Sequence, residues 1–500
     1  MLDVKNVIDS LKSNASTGPD NIPIKYIKLA EPFITPIICH IVNCSLTTST
    51  FPSIWKLARI SPIPKVDLPT SQNDFRPIAV LPALSKILEK VVLNQVLTFI
   101  DKTDIYSSSI HGFRRNHSTV TALLSVKDTI VRAMAQGEIA ILTLVDFSRA
   151  FDTIDFDVLI DRLHVLGFHR TAIRWFLSFV TNRKQFVQID ENQSATLSLN
   201  FGVPQGSILG PVLFNLIVSD FQSHLSKDVG IEQYADDTQL IRTCKPENIT
   251  DTITKCSEDL SIIRKLSKDR NLVFNCKKTN FLIVGSKRFL AKPEVSEINS
   301  FICESDSINR IYSVKNLGVT FDPNLTWCNH FPKVFSSCYH QIRILKKIYK
   351  LCNYRTRKYL AETLILPKID YCSILFTNVP KYVDNRVNRL LATTASFVFN
   401  RYCTKIDVSS IGWLDSANRR NFNILLLVHK ILYKPLSFIT LDIHSPSVYN
   451  LRDNVIKLST GPIHSFQYIA ASLFNKLDPD IRITTVYTNF KNIVFNVMHK

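Results

Sequence analysis

No Cys-x-x-Cys pair occurs among the eleven cysteines, which are scattered from Cys39 to Cys403. That scatter suggests neither a zinc knuckle nor a disulfide framework, and reduced thiols in an intracellular protein are the plain reading. The opening stretch MLDVKNVIDSLKSN lacks the charged-then-apolar pattern of a secretory leader, and no apolar run approaches the length that crosses a bilayer. Secretion and membrane insertion are therefore not expected. A solenoid-period repeat and a low-complexity tract are missing too, so the 500 residues read as consecutive packed units. Acidic residues are in short supply: 42 Asp and Glu stand against 60 Lys and Arg, a formal charge of +18. A polyanion is the natural partner of such a chain, although an ordinary basic protein has the same balance.

What is present is the composition of a folded chain, 45% apolar and 20% charged, long enough for several core-bearing units. From Leu84 to Ile100 the apolar positions Leu84, Leu88, Val91, Val92 and Phe99 alternate with Lys86, Lys90 and Asn94, which predicts an amphipathic helix. Residues 139 to 145, IAILTLV, form a short unbroken run of strand formers, expected to be covered on both faces, and the run stops at Asp146. The stretch Phe156 to Val180 reads as helical with a break near Gly167, and KQFVQID from Lys184 reads as the next strand. IEQYADDTQLI has apolar ends around an acidic centre, which predicts a hairpin carrying Asp236 and Asp237 on its turn. Strand, helices, strand and hairpin make an α+β sheet domain. Past about residue 325, helical periodicity and basic residues dominate. There Ile342, Leu345 and Tyr349 share one face and Arg343, Lys346, Lys347 and Lys350 another, a face suited to phosphates or simply to water. The last hundred residues are apolar and helical without a readable motif.

Asp146 closes a buried strand, and Asp236 and Asp237 follow 90 positions later on a predicted turn. Sheet pairing can bring them together. Mg2+ takes hard oxygen ligands and keeps sites for water and phosphates, so two or three carboxylates suffice to hold it. Two such ions can activate a hydroxyl and stabilise a departing pyrophosphate. A lone Asp after a strand is more often a cap or turn residue, and the spacing alone does not decide between the two.

The wording around these residues does decide. Tyr234-Ala235-Asp236-Asp237 resembles the signature hairpin of reverse transcriptases, FGVPQGSILGPVLFNL (201–216) the family's Pro-Gln-Gly segment, and LVDFSRAFDTID (144–155) its first catalytic-Asp segment. The likeness extends upstream through SNASTGPDNIPIKYIK (13–28), WKLARISPIPK (55–65), DFRPIAVLPALSKILEK (74–90) and HGFRRNHSTVTAL (111–123). It continues downstream through NLVFNCKKTNFLIV (271–284) and NLGVTFDPNLTWCNH (316–330), covering roughly residues 13 to 400. Among reverse transcriptases the wording is most similar to non-LTR retrotransposon polymerases of the jockey and CR1 kind.

The resemblance implies a right-hand polymerase. Residues 1–50 would lead into the fingers, 51–140 form the fingers, 141–322 the palm, 323–400 a helical thumb, and 401–500 a helical region of unassigned role. Asp146 and Asp236 would ligate two Mg2+ ions, with Mn2+ as a substitute, and Asp237 would support the metal site. Lys65 and Arg76 would cradle the triphosphate. Phe151 would lie beneath the incoming sugar and reject a ribose 2′-hydroxyl. Gln205 and Gly206, stiffened by Pro204, would meet the nucleotide or template, and Lys278, with Lys277 as its neighbour, would protonate the leaving pyrophosphate. Leu317, Gly318 and Val319 resemble the primer-grip segment.

The implied partners are an RNA template, a DNA primer or target-site DNA, and dNTPs, within a ribonucleoprotein of the nucleus or cytoplasm. Relatives usually carry an endonuclease ahead of the polymerase. Here the first polymerase motif begins within some twenty residues of Met1, so a separate endonuclease is expected to be required. No acidic arrangement of a ribonuclease H is found in the last hundred residues. The rival readings are an RNA-dependent RNA polymerase, which Phe151 and the Tyr-Ala-Asp-Asp wording oppose, and a catalytically silent RNA-binding derivative.

Overall fold

Ile139–Val145 forms the strand that its apolar run predicts, with every residue except Leu144 buried. In the computed structural model, which describes residues 1–148, 150–401, 408–433, 441, 443–444, 455–456 and 462–499, it is an inner strand of a six-stranded sheet. The order across that sheet is Ser300–Cys303, Asp306–Arg310, Asn280–Val284, Ile139–Val145, Asp237–Cys244 and Gly230–Tyr234. Neighbours run antiparallel except Asn280–Val284 beside Asp306–Arg310. The helix Thr119–Ala135, opened by a capping box at Ser118 and Thr121, packs on the three strands Ile139–Val145, Gly230–Tyr234 and Asp237–Cys244.

These elements belong to one of two compact units that interleave along the chain. The first comprises Met1–Phe113, Asp146–Ser226 and Asp259–Asn275; the second comprises Arg114–Val145, Lys227–Glu258 and Cys276–Lys500. The stretch 141–322, expected to be one palm, contributes to both. The order of motifs along the sequence does not reveal which segments share a core.

In the second unit a single buried cluster starts at Leu123 and Leu124 and passes through Leu142 and Leu282 of the sheet. It continues to Trp327, Phe335, Leu390, Leu425, Ala470 and Val494. Residues of the expected thumb and of the C-terminal hundred therefore share the sheet's own core. Ile342 and Leu345 of the helix Phe331–Lys347 point into this cluster with Tyr349 partly covered, and Arg343, Lys346, Lys347 and Lys350 are exposed, as the periodicity predicts.

In the first unit, Phe75–Val80 pairs antiparallel with Leu57–Pro64, which pairs parallel with Arg183–Ile189. The short strands Asn192–Gln193 and Leu197–Leu199 both add to Arg183–Ile189, completing a five-stranded sheet. The KQFVQID strand thus forms, but in a different sheet from the one that its sequence order suggested. Its alternating, half-exposed pattern suits this open sheet and not a doubly covered one. The predicted helices are Ala83–Thr103, Phe156–Val165 and Arg170–Val180, the last two separated at Gly167. Trp175 and Phe179, one turn apart, stack with ring centroids at 5.7 Å, and Phe51 meets Phe179 edge-on at 5.1 Å.

Trp327 is among the largest fully buried side chains and lies within 5.3 Å of Phe321 and 5.2 Å of Phe376, centroid to centroid. Trp327→Ala is expected to cost about 3–5 kcal/mol in chemical denaturation. Lys127 is sealed in the same unit, its ammonium donating to Thr377 Oγ1 at 2.7 Å and to the His464 carbonyl at 3.4 Å. Burial pushes its pKa down to about 8. The unfolded chain then binds the extra proton between about pH 8 and 10.5, so this residue's contribution to stability rises with pH across that window. The stability difference between wild type and Lys127→Met should follow that slope, and a flat difference would refute the assignment.

Candidate active site

The hairpin of the second unit turns over two residues. Tyr234 pairs with Asp237, leaving Ala235 and Asp236 as the turn. Ala235 adopts φ +55, a region that costs a residue with a Cβ about 1–2 kcal/mol, and such strain persists only where the surroundings enforce it. Asp236 is half-buried and Asp237 exposed. One residue on, Thr238 pairs with Val145, the last residue of the inner strand. Asp146 follows Val145 by one peptide bond, so the register sets the chain entering Asp146 beside the chain leaving the acidic turn.

Asp146 itself belongs to the first unit's segment. Its carbonyl accepts from the Asn275 amide at 2.9 Å, and the next two residues pair antiparallel with Val273–Phe274. Its Oδ2 is sealed from solvent. Among the described residues no three His, Cys, Asp or Glu side chains gather into a group able to hold an ion. A carboxylate is a hard oxygen donor of the kind that divalent ions such as Mg2+ take, with water, backbone or phosphate completing the shell.

The Pro-Gln-Gly segment is fixed within the first unit by backbone. Gly202 N–H donates to Ile154 O at 2.7 Å, Val203 N–H to Phe151 O at 2.9 Å, and Ala79 N–H to Gln205 O at 2.7 Å. Gly206 sits at φ +128, where a Cβ would come 2.3 Å from the Ala79 carbonyl, so only glycine fits against that strand. The Gln205 amide, expected to reach towards nucleotide or template, gives its NH2 group to Asp152, with both carboxylate oxygens at 2.8 Å. Just beyond, Glu89 accepts from the Ile208 amide at 2.7 Å and from Ser85 Oγ at 2.7 Å. Burial pushes the Glu89 carboxyl up, against the pull of the Arg183 guanidinium. Phe151 is half-buried, its ring 5.0 Å from that of the fully buried Phe214.

Lys65 and Arg76 are both exposed. Ile63 pairs with Arg76 and the Lys65 amide donates to Asp74 O at 2.7 Å, so by strand alternation the two cations lie on one face of the first unit's hairpin. Lys65 Nζ rests on the Asn73 carbonyl at 2.8 Å.

In the second unit Lys278 is exposed in the turn before Asn280–Val284. Leu317 and Gly318, at φ +42 and +88, make the two-residue turn between Val314–Asn316 and Val319–Phe321. Tyr371 Oη donates to the Leu317 carbonyl at 2.7 Å, and its ring would meet a Cβ on Gly318 at 3.0 Å. Asn316 Nδ2 donates to Gln239 Oε1 at 2.6 Å, tying this turn to the strand that leaves the acidic hairpin. Val319, expected in the primer grip, is fully buried and supports the turn from the core.

Sequence reasoning did not single out Asp152, Glu89, Tyr371 or the Asn316–Gln239 pair. Glu89 carried a signal: a carboxylate beside Leu88 on a helix face that otherwise reads as apolar. The other three depend on partners distant in sequence.

The family of reverse transcriptases (RNA-dependent DNA polymerases) matches residues 63–321, just over half of the chain. The RNA-directed DNA polymerase from mobile element jockey of Drosophila melanogaster is 30% identical over 66% of this chain and 36% of its own length. From the same organism, the probable RNA-directed DNA polymerase from transposon BS is 27% identical over 69% of this chain and 38% of its own. That from transposon X-element is 25% identical over 73% and 39%. The chain therefore spans less than two fifths of the length of these relatives. No helix among the described residues is long and apolar enough to cross a membrane. The ordered motifs, the acidic turn beside the inner strand and the match across 63–321 carry one conclusion: this chain belongs to the reverse transcriptase family.

Proposed function

We propose that this chain extends a DNA primer with dNTPs on an RNA template, as the polymerase of a non-LTR retrotransposon. The observation that carries the reading is the register that sets Val145, and with it the chain entering Asp146, beside the strand leaving Asp236 and Asp237. Asp146 and Asp236 would hold the divalent ions, and Asp237 would orient its neighbour. Two Mg2+ ions, or Mn2+ in their place, supply charge stabilisation at the attacking and leaving oxygens when bound.

The chain's own residues do the rest. The primer 3′-hydroxyl attacks the α-phosphate in line, and Lys65 and Arg76 offset the charge of the triphosphate. Lys278 gives a proton to the departing pyrophosphate. The Phe151 ring occupies the space that a 2′-hydroxyl needs, and the Leu317–Gly318 turn supports the primer end. Base pairing reads the template, so protein contacts run mainly to backbone and weaken steeply with salt. The exposed cations Arg343, Lys346, Lys347 and Lys350 fit that role, and the working form would be a ribonucleoprotein of the nucleus or cytoplasm.

Purified protein given poly(A) and oligo(dT) is expected to incorporate dTTP; incorporation of UTP in place of dTTP would overturn the assignment. Asp236→Asn should lower extension roughly a thousandfold, about 4 kcal/mol of transition-state stabilisation, with RNA binding unchanged. Undiminished extension by that variant would remove Asp236 from the metal site. Phe151→Val should raise UTP use relative to dTTP by about tenfold, roughly 1.4 kcal/mol, in single-nucleotide incorporation.

A further inference from the structure

We infer that Asp152 is a positioning residue that sets the polarity of the Gln205 amide, so that this side chain turns its Oε1 acceptor away from the carboxylate and toward nucleic acid. The inference rests on the polymerase reading for its ligand and on geometry within the first unit for its mechanism. A carboxylate has only acceptors to offer, and both Asp152 oxygens lie 2.8 Å from the same end of the Gln205 amide. That end must be the NH2 group, because an amide oxygen there would face two anionic oxygens. The opposite end is then Oε1. Among the described residues no group donates to Gln205 Oε1, and that atom is not sealed from solvent although the residue is half-buried.

The surrounding backbone leaves the pair little freedom. The carbonyls on either side of Asp152–Thr153, those of Phe151 and Ile154, accept from Val203 and Gly202, and the Gln205 carbonyl accepts from Ala79. Gly206 is pressed against Ala79, so Gln205 cannot slide along its strand partner. Asp152 and Gln205 are thus held opposite each other by neighbours whose own contacts are backbone. A hydrogen bond to a charged acceptor contributes about 1.5–3 kcal/mol, enough to hold one amide orientation over its flip. The partner that Oε1 selects is an N–H or O–H of the incoming nucleotide or of its template base, and an acceptor facing that atom is disfavoured.

The test uses the full chain on poly(A) and oligo(dT), with steady-state kinetics for dTTP and hydrogen–deuterium exchange on the free protein. Asp152→Asn leaves size unchanged and lets the amide turn either way. It should raise KM for dTTP by about tenfold with kcat within about twofold, while Asp152→Glu recovers part of the loss. Gln205→Ala should do the same, and the double variant D152N/Q205A should be no worse than Q205A alone. Amide exchange at Gly202, Val203 and Ala79 should quicken in D152N. Additive effects in the double variant, a fall in kcat at constant KM, or unchanged exchange would each overturn the inference. If D152N does not fold, Gln205→Glu, which opposes two carboxylates, must raise KM in its place or the inference fails. If wild type incorporates no dTTP, the polymerase reading fails, and the exchange data alone then uphold or overturn the clamp.

Discussion

The register of Ile139–Val145 against Asp237–Cys244 is the constraint on which the candidate site depends. Side chains alternate along a strand, so a slip of one residue would turn the buried face of either strand outward and carry the acidic turn away from the end of its neighbour. The apolar run prevents that slip. Six of its seven residues are buried, and five consecutive residues of the partner strand, Thr238 to Arg242, are buried as well. Burial that has no catalytic content of its own thereby fixes where carboxylates emerge.

A second kind of precision comes from backbone, not side chains. The 202–206 segment is held by main-chain hydrogen bonds to 151–154 and to Ala79, and it depends on the absence of a Cβ at Gly202, against Asp152, and at Gly206, against Ala79. Such contacts tolerate substitution around them, and they place whatever side chains the segment carries. The Leu317–Gly318 turn follows the same logic, with Tyr371 gripping a carbonyl and Asn316 reaching Gln239.

Much of this was legible in the residues. The strand at 139–145, the hairpin around Asp236, the helices on either side of Gly167 and the basic face of the helix after residue 325 all follow from local periodicity and turn chemistry, which need no partner to be read. Sheet membership was less legible. KQFVQID is a strand by pattern, but its partner Leu57–Pro64 lies more than a hundred residues earlier, and pairing between distant segments leaves no local trace. The same holds for Asp152. Its carboxylate reads as one more acidic residue in FDTID until Gln205 arrives from 53 residues away. The core joining the sheet to Ile411, Ile424, Phe466, Phe474 and Val494 was invisible for the same reason, because each apolar helix there would look equally at home in a separate domain.

That shared core has a consequence for how the chain is made. The Phe466 amide donates to the Asp128 carboxylate at 2.9 Å across 338 residues of sequence. The helix bearing Asp128 packs on the strands that flank the acidic turn. At about 5–20 residues per second of synthesis, those 338 residues take on the order of 20–70 s to appear. For that interval the helix bearing Asp128 waits on the ribosome with part of its apolar surface uncovered. The second unit therefore completes its core only when residues near Phe466 have been made, well after Asp259–Asn275, the last segment of the first unit, has appeared.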